Sequence, residues 1–70
     1  MYQNLKAEMA RFGITNKNIA ECIEINDQTV SNRINGNGAE FSFGETVKIR
    51  DQFFPGMRLE YLFTKFEASA

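Results

Sequence analysis

Gln28, Ser31, Asn32 and Arg33 fall within one six-residue stretch of the chain. Their side chains offer paired hydrogen-bond donors and acceptors. Glutamine and asparagine amides match the edge of adenine, and a guanidinium matches guanine. Six of the seven Asn residues (16, 18, 26, 32, 35 and 37) lie between positions 16 and 37. Amides and hydroxyls near helix starts also bond phosphate oxygens without carrying charge. The same residue types cap helices and form turns, and Thr15 and Asn26 are read first as caps. Covalent chemistry has weaker candidates. The chain has no His, and no Ser, Cys or Lys has a recognisable partner for nucleophilic work. Glu21 and Glu24 are neighbours on a helix surface and read as solvated charge. Gly36-Asn37-Gly38 is not followed by the glycine or lysine that a phosphate loop needs. Cys22 stands alone, which excludes an intrachain disulfide and, without His, a tetrahedral zinc site. The expectation is a protein that is not an enzyme and uses no cofactor or metal, with Cys22 as a small packing residue.

Seventy residues suffice for one small domain, spanning 1–70, which buries about 60% of the surface its unfolded chain exposes. With 43% hydrophobic residues and nine aromatics, the core supply is adequate and a disordered tail is excluded. No apolar run approaches the roughly 20 residues that span a bilayer. Met1-Tyr2-Gln3-Asn4 lacks a signal-peptide pattern, so the expected location is cytoplasmic. The net charge is −1 and neither half of the chain is basic. That balance counts mildly against a partner held by phosphate attraction alone.

Positioning falls to helices, because the apolar spacing is helical throughout. Tyr2, Leu5, Met9 and Phe12 form one stripe that stops at Gly13, a natural C-terminal cap. Thr15 caps a second helix, with Ile14 stapled onto Ile19 and with Ile19, Ala20 and Ile23 facing inward. Asn26 caps a third, about residues 27–35, burying Val30 and Ile34 and ending at Gly36. Ser42-Phe43-Gly44-Glu45 matches a capping box for a fourth helix through about Phe53, stopped by Pro55-Gly56. A fifth, near Arg58 to Phe66, presents Leu59, Leu62, Phe63 and Phe66 on one face. Asn35-Gly36 and Asn37-Gly38 are also hairpin-turn dipeptides, but Thr29–Ile34 carries its apolar residues four apart, which disfavours strands.

Two short helices joined by Glu24-Ile25 are the recipe of a helix-turn-helix, here about residues 15–36. Ala20 lets the second helix approach closely, and Ile19, Ile23, Ile25, Val30 and Ile34 lock the pair. Nine helical residues span about 13 Å at roughly 1.5 Å each, which suits a major groove about 12 Å wide.

The stretch Asn16 to Gly36, with Ala20, Thr29-Val30-Ser31 and Asn35-Gly36 at their joint spacing, resembles the helix-turn-helix of the Cro/CI-type (XRE) phage repressor family. The likeness extends along the chain through Phe54-Pro55-Gly56-Met57-Arg58-Leu59-Glu60-Tyr61-Leu62-Phe63, similar to small stand-alone members from phages. The resemblance implies an all-α, compact five-helix lambda-repressor-like DNA-binding domain with a central helix-turn-helix. It implies a phage- or prophage-type transcriptional regulator, a repressor in a bacterial host cell, that binds double-stranded operator DNA. Gln28, Ser31, Asn32 and Arg33 would then meet bases, while Asn16, Lys17, Asn35 and Asn37 meet the sugar-phosphate backbone. Two departures stand out. Glu24 occupies the place of the family's usual turn glycine, so the turn is either rebuilt or strained by about 1 kcal/mol. Asp27 opens the recognition helix, where it suits the helix dipole but repels phosphate.

One recognition helix reads few base pairs, so DNA binding implies a homodimer on a palindrome. The C-terminal region, with Phe53, Phe54, Tyr61 and Phe66, is the expected self-contact. The alternative function is an antirepressor or modulator that masks a partner repressor protein, its acids Glu21, Glu24 and Asp27 drawing basic side chains.

Overall fold

In the computed structural model, which describes residues 1–66, the chain folds into five helices: α1 (Gln3–Phe12), α2 (Asn16–Ile23), α3 (Asp27–Ile34), α4 (Phe43–Phe53) and α5 (Leu59–Leu62). No strand occurs among the described residues, so the class is all-α and the hairpin alternative is not formed. The central three helices start where a side chain satisfies an orphan backbone donor. Thr15 Oγ1 accepts from the Asn18 N–H at 3.2 Å, while the Thr15 N–H donates to Asn18 Oδ1 at 2.9 Å. Asn26 Oδ1 accepts from the Thr29 N–H at 2.7 Å. Ser42 and Glu45 close the reciprocal box expected from their spacing, at 2.9 and 3.2 Å.

Each helix contributes one side chain with no exposed surface: Leu5, Ile19, Val30, Ile49 and Leu62. α2 packs against both α3 and α4, and α1 closes the other side against α3 and α5. Tyr2 caps this core. Its ring lies 5.4 Å from Phe41 and 5.7 Å edge-on to Phe63, and its N–H donates to the Ile34 carbonyl at 2.9 Å. The end of α3 is thereby tied to the start of the chain. Gly36 takes φ +81, and a Cβ there would stand 3.2 Å from the Met1 nitrogen. Its conformation strains any other residue, and the tight approach to Met1 adds to the preference for glycine.

Two core expectations are corrected. α5 ends at Leu62 rather than near Phe66, because the Phe66 N–H donates to the Met1 carbonyl at 2.8 Å instead of continuing the helix. Leaving the helix also lets Phe63 stand edge-on to both Tyr2 and Phe41. Phe12 is 54% exposed, an outer layer with its ring 6.0 Å from Phe54. Glu8, in contrast, is buried on α1. Its Oε2 accepts from the Tyr61 hydroxyl at 2.6 Å, and Asn4 Nδ2 donates to the Tyr61 carbonyl at 2.8 Å, so polar bonds tie α1 to α5.

That tie is pH-dependent. The bond to Glu8, with some burial, raises the Tyr61 phenol above its usual value of 10.0. A group raised on folding stabilises fully below its unfolded value and loses that contribution as pH climbs through the raised value. The melting-temperature gap between the wild type and Tyr61→Phe is therefore expected to hold constant up to about pH 10 and to narrow above it. A gap that stays constant into strong alkali would show that the phenol is not tied.

The turn between α2 and α3 bears the other backbone peculiarity. Glu24 takes φ 60 and ψ 46, the only non-glycine residue at positive φ among those described. Glutamate carries the strain of this left-handed position. Glu24→Gly is expected to raise stability by about 0.5–1 kcal/mol, read by denaturant unfolding.

Candidate nucleic-acid interface

The α2–turn–α3 unit is fastened from inside. Ala20 and Ile23 are buried, Ile25 packs against the core, and the Ile25 N–H donates to the Ala20 carbonyl at 3.0 Å. With Val30 and Ile34 buried, the remaining side chains of α3 are left at or near the surface. The helical period sets them in rows four residues apart.

Two such rows are hydrogen-bonded. Gln28 Nε2 donates to Asn32 Oδ1 at 3.1 Å, and Asn35 Nδ2 donates to Ser31 Oγ at 3.4 Å. The first bond has a chemical consequence. It consumes one donor of Gln28 and one lone pair of Asn32, leaving the Gln28 carbonyl oxygen as an acceptor and the Asn32 amide as a donor. A donor beside an acceptor is the complement of an adenine edge in the major groove. Gln28 is exposed, whereas Ser31, Asn32 and Asn35 are half-buried, so part of their freedom is already lost before any partner arrives.

The remaining sequence candidates are placed less uniformly. Lys17 and Asn37 are exposed, and Asn16 is half-buried at the start of α2. The Asn37 N–H donates to the Asn32 carbonyl at 2.7 Å, which holds the loop after α3 against the helix end. Arg33 stands apart from the amide rows. Its Nη1 lies 2.5 Å from Glu45 Oε1, its guanidinium sits 5.7 Å from the centre of the Phe41 ring, and its side chain is only 18% exposed. Arg33 is turned towards α4.

Ion pairing leaves a distinct charge pattern. Arg11, Arg33, Arg50, Arg58 and Lys65 each have a carboxylate within 4.0 Å. Among the described residues Lys6, Lys17 and Lys48 have no such partner, and neither do the acids Glu21, Glu24 and Asp27. All three of those acids are exposed and belong to α2, the turn and α3. The sequence alone gave no sign of the Arg33–Glu45 pair, because its members are twelve positions apart and Glu45 was already accounted for by its capping box.

Among the described residues there is no group of three His, Cys, Asp or Glu side chains that could hold a metal ion. Burial, only partly offset by Lys48, pushes the Cys22 thiol above its usual value, so it stays protonated near neutral pH. Its Sγ donates to the Lys48 carbonyl at 3.7 Å, as suits a packing residue between α2 and α4. No helix among the described residues is long and apolar enough to cross a membrane. No protein-family model, curated protein or solved structure matches the chain.

Proposed function

We propose that this protein is a sequence-specific DNA-binding regulator of transcription, with a lambda-repressor-like arrangement in which α3 is the recognition helix. The observation that carries the reading is the Gln28–Asn32 pair, outward on a helix whose other face is locked by Val30 and Ile34. Gln28, Asn32 and Ser31 read bases; Asn16, Lys17, Asn35 and Asn37 meet the sugar-phosphate backbone. The resemblance to Cro/CI-type repressors supports the same assignment and the expectation of a non-enzymatic role in the cytoplasm of a bacterial host.

A single recognition helix is paired with a second on a palindromic site. Phe54 is buried and is withdrawn as a self-contact residue. Phe43, 76% exposed, was not anticipated and joins Tyr61 and Phe66 as an exposed aromatic. With few free cations, non-specific affinity is low and the salt dependence shallow.

The acids of α2, the turn and α3 favour a second reading, in which the same face takes a basic segment of a partner repressor. Gel shift with the promoter region beside the protein's own gene, with and without a repressor encoded next to it, separates the two. Retardation of duplex by the chain alone supports DNA reading. Retardation only by the repressor, relieved by this chain, supports the modulator.

A further inference from the structure

Arg33 is the only cation on α3, and it is held by the wrong partner for nucleic acid. Glu45 Oε1 accepts from Arg33 Nη1 at 2.5 Å and, at the same time, from the Ser42 N–H at 2.9 Å. The carboxylate is thus pinned by its place in the α4 capping box, and the arginine comes to it. The pairing leaves the guanidinium incompletely used, since Arg33 Nε is buried with no hydrogen-bond partner. A guanidinium is best satisfied by an acceptor that takes two parallel N–H groups, as a phosphate or a guanine edge does. A single carboxylate oxygen shared with a backbone N–H does not provide that.

We propose that Glu45 is a built-in attenuator of DNA affinity: it sequesters Arg33, so that α3 meets DNA with Asp27 as its only uncompensated charge. This rests on the DNA-binding reading above. The restraint is electrostatic and local, and its removal releases a cation at the end of α3 that adjoins the Asn35–Asn37 loop. Phe41, beneath the guanidinium, remains in place to support the released side chain.

Glu45→Gln separates the two jobs of Glu45, because glutamine also completes a capping box but carries no charge. Binding to the duplex preferred by the wild type is measured by fluorescence anisotropy across a salt series, for the wild type, Glu45→Gln, Arg33→Gln and the double variant. The expected result is several-fold tighter binding by Glu45→Gln at low salt. Its log–log salt slope should be steeper by about 0.9, as for one added phosphate contact, so the gain shrinks about threefold between about 50 and about 200 mM salt. Arg33→Gln alone should bind no tighter than the wild type with an unchanged salt slope, and the double variant should lose the gain.

An unchanged Glu45→Gln beside a wild type that binds selectively overturns the attenuator and leaves the DNA reading standing. A gain that persists in the double variant also overturns it, since the effect then comes from removing a negative charge rather than from releasing Arg33. If Glu45→Gln does not fold, Arg33→Gln still decides: a salt slope shallower by about 0.9 means that Arg33 already contacts a phosphate and overturns the attenuator, and an unchanged slope supports sequestration. Selective binding by none of the four chains overturns both proposals.

Discussion

Val30→Asp is expected to abolish the cooperative melting transition, leaving the chain unfolded at room temperature. Val30 has no exposed surface and lies on α3 between the helix-turn-helix interior and the common core. The buried cluster around it is made of apolar side chains, so an aspartate there is buried among groups that cannot compensate its charge. An uncompensated buried charge costs several kcal/mol even after relaxation, and the packing of the valine is lost as well. A domain of this size has roughly 4–10 kcal/mol to lose. Val30→Ala removes only the packing and is expected to cost about 2 kcal/mol with the transition retained. Circular dichroism melts of both variants check the pair. A near-normal melt for Val30→Asp would place α3 differently from the arrangement described.

Under the proposed DNA-binding function, Gln28→Ala is expected to act on recognition instead. Gln28 is exposed and makes no bond to the core, so the fold is expected to be unaltered. At a preferred duplex the substitution should cost about 1–3 kcal/mol, because a base contact is lost. The loss is expected to reach beyond Gln28 itself. Its Nε2 orients the Asn32 carbonyl oxygen, and without it the Asn32 amide is free to rotate. Gln28→Ala and Asn32→Ala should therefore be less than additive when combined. Affinities measured on preferred and scrambled duplexes test this, and an equal loss on both would count against base reading.

Much of the fold was legible because local rules agreed with global packing. Thr15, Asn26 and Ser42 announced three helix starts, and the spacing of Ile19, Ile23, Val30 and Ile34 marked the inward faces of α2 and α3. Gly13 and Gly36 marked two helix ends. What escaped was set by contacts distant in sequence. Glu8 sits where the α1 pattern has a polar residue, and beside its ion pair with Arg11 at 3.6 Å its hydrogen bond comes from Tyr61, 53 positions away. Phe66 fits the stripe of α5, yet its N–H is claimed by Met1. A period cannot report either partner. The candidate site divides in the same way. Gln28, Ser31, Asn32 and Asn35 follow from the helical period alone. The fate of Arg33 depends on where α4 begins, and no spacing along α3 carries that information. Glu24 was legible as a question: the sequence placed a non-glycine in the turn, and only the backbone could say whether the turn moved or the residue bore the strain.

The central claim is that the outward amides of α3 read a DNA sequence. Selection of duplexes from a random library by the purified chain, followed by sequencing of the retained pool, tests it most directly. The account expects a short enriched motif, arranged as an inverted repeat, that disappears when the selection is repeated with Gln28→Ala. A retained pool indistinguishable from the starting library, or the same motif recovered by Gln28→Ala, would contradict it.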